Sequence, residues 1–448
     1  MRPFLLFLLL LLTTTITPGV VVVAQQQQQQ QQHCQWSSPS KGLHWTPKEG
    51  HHEPSTALIG NTASVWTYTS GRSQDDPRRY QVRYKLHNNN NTTTTTAKID
   101  FKYEFNCATL PKLAISADGT TFAVGCTQQD VTLYSSGEVL KSKQGFVTVF
   151  RWQPHKNKCQ VLGNLYGTLK EEQFGRGLAL NEHGDILAIA GNEPSHLYVY
   201  QYDFDNKQWN PRGQTLEERN HKVLLSNDGT ILPTIQMQNK AVQILHYSDT
   251  NNQWEVEPFL STIPTGVSNP TAAAVVLGRS SSLSLSGNGQ VAAVQRYDKR
   301  YGELGVAIYH RAAKQQLDDS TNSSFAWESD PFIGFIPSGG RHSTFGMVTS
   351  MNYDGTRIAI AEPAHNDGYG RVYVYDLQYN NNDGRDLGGF GWVPQGDPIV
   401  GKYTKDAFGR QLWLSQDGNT LVIRSISYSL IYEYQAPKCL SDGRTDFY

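Results

Sequence analysis

Two short stretches set an acid three positions before an imidazole: Glu193-Pro194-Ser195-His196 and Glu362-Pro363-Ala364-His365. A carboxylate beside an imidazole can hold a metal ion or pass a proton near neutral pH. The alternative is simpler: Pro turns the chain, and His meets water. His51-His52-Glu53 is a third such cluster, in a polar stretch. The chain lacks H-E-x-x-H, G-x-x-x-x-G-K-[ST] and G-x-S-x-G, the signatures of three common enzyme chemistries. DFDNKQW (203–209) and DTNNQW (249–254) offer acids and amides. They lack the Gly and closing acid of a calcium loop, so they read as hairpin turns. Neither a metal nor a cofactor is expected.

Recognition is the other chemistry on offer. Arg296-Tyr297-Asp298-Lys299-Arg300-Tyr301, Gly340-Arg341-His342 and Asp367-Gly368-Tyr369 combine Arg with aromatic side chains, the usual anchors of binding surfaces. The candidate ligand contacts are Tyr297, Arg300, Tyr301, Arg341, His342, His365 and Tyr369.

These candidates hang on a repeated scaffold. Asp118-Gly119, His183-Gly184, Asp228-Gly229, Asn288-Gly289, Asp354-Gly355 and Asp417-Gly418 are hairpin-type turns, with Gly free to take positive φ. They recur about every sixty residues, the mark of an array of one supersecondary unit. An apolar run precedes each turn (LAIS, LALN, VLLS, LSLS, VTSMN, LWLS), and another follows it. A third run alternates (LYVYQYD, RVYVYDL), as a half-exposed strand does. A fourth is polar and often opens with Trp (WNPRGQTL, WVPQGDPIVG).

That fall in apolar content from first strand to fourth is what a propeller blade shows, with its first strand at the axis and its fourth in solvent. Phe174, Phe345 and Phe408, each followed by Gly, open the first strand; the ring would wedge between blades. The expected fold is therefore all-β, a β-propeller. Six copies plus a degenerate blade over 61–106 give seven blades, with six as the runner-up. Trp45-x-Pro47 matches Trp392-x-Pro394, so 44–60 is expected to pair with SLIYEYQ (429–435) and close the ring. On that count the two acid–imidazole loops lie on blades three and six, too far apart to share a ligand. They share a face with the Phe-Gly steps.

The pattern F-G-x-x-L-x-L-x-x-[DH]-G-x-x-L-A-[IV], followed by YVY and W-x-P-x-G, resembles the FG-GAP repeats of integrin-α-type β-propellers. More loosely it resembles WD40-like repeats of secreted proteins. The resemblance covers roughly 110–434 and is good at 174–216, 345–401 and 408–434. It implies binding to proteins, glycans or matrix. The D-x-D-x-D-G calcium loop of many FG-GAP blades is missing, as are the Gly-His and Trp-Asp signatures of true WD40 repeats.

The rest of the chain speaks of its location. Residues 1–24, with one Arg, a Leu-rich core and Val22-Val23-Ala24 at the end, read as a cleaved secretory signal, with a retained anchor as the alternative. The glutamine run 25–32 makes 25–40 a spacer; 41–440 is one propeller domain and 441–448 a polar tail. Asn90, Asn91 and Asn322 stand in glycosylation sequons. In an oxidising compartment Cys34 is expected to pair with Cys439 across the ring closure and Cys107 with Cys126, leaving Cys159 as a buried thiol. With 39 Lys and Arg against 40 Asp and Glu, no field invites nucleic acid, and no later segment is apolar enough to span a membrane. The expected function is a secreted binding module or scaffold for a protein or glycan. A glycan hydrolase with carboxylates round the channel, or a structural matrix or cell-wall component, is the alternative.

Overall fold

The computed structural model describes residues 56–434 except 60–62, 71–78, 87–100, 108–110, 128–130, 133–138, 141–142, 157, 193–195, 218–222, 237–240, 258, 261–281, 299–302, 314–324, 329–333, 341–343 and 381–388. The signal segment, the glutamine run, His51-His52-Glu53, the three sequons and the Cys34–Cys439 pair lie outside the described residues. Within them the chain is built almost wholly of antiparallel strands, and it is a β-propeller.

Each hairpin copy opens one blade. In blade two Gly177–Leu180, Ile186–Ala190, His196–Asp203 and Gln208–Pro211 pair in chain order. Blade five repeats this with Val348–Met351, Arg357–Glu362, Arg371–Asn380 and Gly389–Pro394. The second strands are buried on both faces, as Ile186–Ala190 shows, and the Trp-bearing fourth strand is the outer one. Blade three is the least regular: VLLS (223–226) sits at the axis without being a strand.

Six blades carry the repeat and face one axial cavity, so the runner-up number is the one found and the seven-blade expectation is corrected. The runs in 61–106 do form strands, in a four-stranded sheet opened by Thr56–Ile59. That sheet touches Lys112–Ile115 of blade one but has neither of two devices, the Gly-bearing turn that opens every one of the six and the Phe-Gly step found in three of them. Of the closing segment expected at 44–60, only Thr56–Ile59 is described, and the rest of that expectation, Trp45-x-Pro47 included, lies outside the described residues. Thr56–Ile59 pairs with Ala63–Ser70, Thr56 opposite Thr67, and Ser429–Glu433 pairs with Thr420–Arg424. A partner a few residues away costs far less loop entropy than one at the far end of the chain.

The first device is the turn. Ser116 Oγ donates to Asp118 Oδ1 (2.5 Å), which also accepts from Thr120 N–H (2.8 Å), while Ser116 Oγ accepts from Thr121 N–H (3.0 Å). Ser226 with Asp228 and Ser415 with Asp417 repeat this. Asn181 replaces Ser in blade two, its Oδ1 accepting from Asp185 and Ile186 N–H. Successive turns then join backbone to backbone: Asp118 N–H to Glu182 O, Glu182 N–H to Asn227 O, Asn227 N–H to Gly287 O, Asn288 N–H to Tyr353 O and Tyr353 N–H to Gln416 O, at 2.7–3.1 Å. This belt links all six blades.

The second device is the Phe-Gly step. Phe174, Phe345 and Phe408 are buried between blades, as the sequence suggests. Each ring meets the first Tyr of its own third run or its counterpart: Phe174 with Tyr198 at 5.6 Å, Phe345 with Tyr373 at 5.5 Å, Phe408 with Tyr428 at 5.9 Å. Gly175 has φ +92°, and a Cβ there would lie 2.9 Å from Val147 Cγ2 of blade one. The turn and the close approach both require Gly.

Cys107 and Cys126 form a disulfide that ties the segment ahead of blade one to its second strand. Cys159 is free and half-buried, against the cluster holding Phe122 and Phe150. Burial pushes its thiol up to about 12, so at pH 8 only about one in ten thousand is the reactive thiolate. Iodoacetamide at pH 8 is expected to leave Cys159 unmodified in the folded protein and to modify it after unfolding. Fast modification of the folded chain, read by mass spectrometry, would refute this.

Candidate functional site

The first strands line a cavity of about 570 Å³ on the propeller axis, a size suited to a small ligand. Its two ends differ. At the Asp-Gly end Asn227 of blade three donates through Nδ2 to Gln416 Oε1 of blade six at 3.4 Å. These blades face each other in a ring of six, so the pair spans the axis. The turns at this end spend their acids and hydroxyls on their own backbone, as shown above, and leave little for a ligand.

At the Phe-Gly end the rim carries the exposed Lys112, Arg410 and Ile426 and the half-buried Arg176 and Arg424. The chain places them simply. Arg176 and Arg410 follow Phe174-Gly175 and Phe408-Gly409, where the positive-φ Gly starts the inner strand. Lys112 begins the inner strand of blade one, and Arg424 ends the second strand of blade six, opposite Gln411. Arg176 Nη1 donates to Gln173 Oε1 (3.1 Å) and Arg424 Nη1 to Gln411 Oε1 (3.0 Å). Although Lys112 is exposed at the rim, partial loss of water around its ammonium, then the charges of Arg176, Arg424 and Arg410, hold it below its ordinary value. No Asp or Glu stands among the described residues lining the cavity. Deeper, the wall is apolar, with Leu178, Leu285 and the half-buried Trp413.

The candidates read from sequence lie elsewhere or out of view. Arg300, Tyr301, Arg341 and His342 fall outside the described residues, and of Tyr297 only the backbone is described, paired with Leu304. His365 and Tyr369 flank a one-turn segment with positive φ at Asn366 and Asp367; neither lines the cavity. The acid of that motif, Glu362, is buried and accepts from Arg371 Nε at 2.7 Å, with His365 Nδ1 at 3.7 Å. It serves the blade. In blade two, His196 Nδ1 lies 3.1 Å from Tyr198 Oη, which donates to the buried Glu172 at 2.5 Å. Burial and Glu172 raise Tyr198 well above the usual tyrosine range. The two loops sit on blades two and five of six, opposite each other.

The calcium-like stretch at 203–209 is a hairpin turn, with Asp203 Oδ1 accepting from Asp205 and Asn206 N–H at 3.0 Å. The bonds from Asn206 hold Asp203 below the ordinary carboxylate value. Sequence reasoning missed Lys112, Arg176, Arg410 and Arg424. A signal existed for two of them: F-G-R is spelled at both 174–176 and 408–410.

No protein-family model and no curated protein matches the chain. Among solved structures it is similar to the β-propeller domain of Cps50 (Swd1) from Myceliophteria thermophila, at 8% identity and TM-score 0.48, covering 89% of this chain and 99% of that one. A chain of the mitotic checkpoint complex is similar at 12% identity and TM-score 0.47, over 89% and 96%. The periplasmic gluconolactonase of Pseudomonas aeruginosa is similar at 14% identity and TM-score 0.45, over 84% and 92%.

Proposed function

We propose that the protein is a secreted binding module of FG-GAP-like repeats, which presents the Phe-Gly end of its channel to a protein or glycan ligand. One observation carries this reading: the cavity is rimmed by exposed side chains at the Phe-Gly end and bridged by Asn227 and Gln416 at the other. A rigid ring holding a rim of variable loops is where recognition residues concentrate. The sequence assigns Tyr297, Arg300, Tyr301, Arg341, His342, His365 and Tyr369 to loops of the same face, and we take them as further candidate contacts. The hydrolase alternative would need a carboxylate pair, which the described lining residues do not supply. Residues 1–24 act as the leader, 25–40 as spacer and 41–440 as the folded module, exported with glycans at Asn90, Asn91 and Asn322. No helix among the described residues is long and apolar enough to cross a membrane.

The test is a glycan and protein array probed with the full chain, repeated with two variants. Ile426, 40% exposed at the rim, is changed to Trp to obstruct the mouth. Tyr353, exposed beside the turn of blade five, is changed to Ala. Ile426→Trp is expected to weaken a retained ligand about tenfold or more, as for a residue central to an interface, and Tyr353→Ala to leave it unchanged. The reverse pattern would place the site at the wrong end of the channel. If the two arginines are contacts and not part of the scaffold, Arg300→Ala and Arg341→Ala should weaken the same ligand while shifting stability by no more than about 0.5 kcal/mol.

A further inference from the structure

We propose that the channel mouth takes an anion, a sugar-sized body bearing at least two carboxylate, sulfate or phosphate groups. This rests on the reading of the Phe-Gly end as the ligand site and adds the chemistry of the ligand. Four cationic side chains from three blades, Lys112, Arg176, Arg410 and Arg424, line one mouth, and no acid among the described lining residues offsets them. Their charges act on one another, since Lys112 feels all three guanidinium groups. A cluster of like charge is costly in the empty protein and is relieved by a bound anion.

The partners of the arginines fit this use. Gln173 orients Arg176 through a neutral amide oxygen, which fixes the guanidinium head without cancelling its charge, and Gln411 Oε1 accepts from Arg424 Nη1. Arginine so held presents its remaining N–H groups to oxyanions in a fixed fork. Charge at the rim and apolar walls at Leu178 and Trp413 describe a small body with its anionic groups outermost.

The size of the cavity, about 570 Å³, admits a molecule or a chain end and no nucleic-acid duplex. The anion could be free in solution or could terminate an acidic oligosaccharide. The two sources share the oxyanion chemistry and separate in the test.

The experiment is isothermal titration of the full chain at low salt with three probes: citrate, a trisulfated uronate-containing disaccharide, and the same disaccharide without sulfate or carboxylate. Either anionic probe is expected to bind, and the neutral one is not. Affinity is expected to fall about tenfold or more in Arg176→Ala and in Arg410→Ala, the loss of a charge-assisted hydrogen bond. Arg410→Lys should keep most of it, and added salt should weaken it. Citrate binding marks a free small anion as sufficient; binding of the sulfated disaccharide alone marks a sugar terminus. Arg410 is exposed, so its variants keep the test sound should Arg176→Ala fail to fold. Failure of both anions to bind, or binding unchanged in Arg410→Ala, would overturn the proposal. Equal binding of the neutral disaccharide, abolished by Ile426→Trp, would overturn the anion inference and leave the mouth as the site. Binding lost only in Tyr353→Ala would overturn both.

Discussion

Phe408→Ala is expected to lower the unfolding free energy by about 3–5 kcal/mol, the range for truncating a buried Phe. Phe408 is 0% exposed and packs with Ala361, Val372 and Val374 of blade five and Leu412 and Ile423 of blade six. Its removal opens a void between two blades. The backbone cannot close that void easily, because the belt of turns and the Phe-Gly steps fix the blades relative to each other. Urea unfolding of the full chain measures the change. A loss below about 1 kcal/mol would show that the interface repacks and that the Phe wedge is not what holds the ring. Phe174→Ala and Phe345→Ala should behave alike, since both are buried in the same place in their own blades.

Glu257→Ala is expected to cost a similar amount, about 3–5 kcal/mol, through a different cause. Glu257 is 2% exposed. It accepts from Arg311 Nε at 2.9 and 3.1 Å, from Arg311 Nη2 at 2.6 Å and from Trp327 Nε1 at 2.9 Å. The acid comes from the outer strand of blade three, and both donors come from blade four. Truncating it removes that acceptor from both buried donors. Breaking the pair is costly because a charge is left uncompensated, whereas replacing both partners by apolar residues often is not. The double variant Glu257→Leu with Arg311→Met is therefore expected to be more stable than Glu257→Ala alone, although Trp327 still loses its acceptor. A double variant no more stable than the single one would contradict this assignment.

Much of the fold was legible because the repeat writes one physical role at one position. The Asp-Gly turns, the Trp-bearing outer strands and the buried Phe of each Phe-Gly step all lie where the pattern puts them. The blade count was not legible. ASVWTYT and RYQVRYKL have the alternation of strands, and they are strands, but alternation says nothing about whether a sheet joins the ring. The pattern match also reached too far at its end: Thr56–Ile59, expected with the closing strand, pairs locally with Ala63–Ser70. The acid–imidazole stretches looked chemical because proximity in sequence hides who else is near. Arg371, nine positions beyond Glu362, takes that acid. The rim cations escaped notice for the opposite reason. Lys112, Arg176, Arg410 and Arg424 are far apart in the chain, and only the closing of the ring brings them to one mouth.

Hydrogen–deuterium exchange of the full chain, with and without a ligand retained on the array, tests the central claim most directly. The account predicts slowed exchange in 111–113, 174–178 and 408–412, the Phe-Gly ends of inner strands, and in 424–427, where the second strand of blade six ends, and no change in the Asp-Gly turns near Gly229 and Gly418. Protection confined to those turns, with the Phe-Gly ends unchanged, would contradict it.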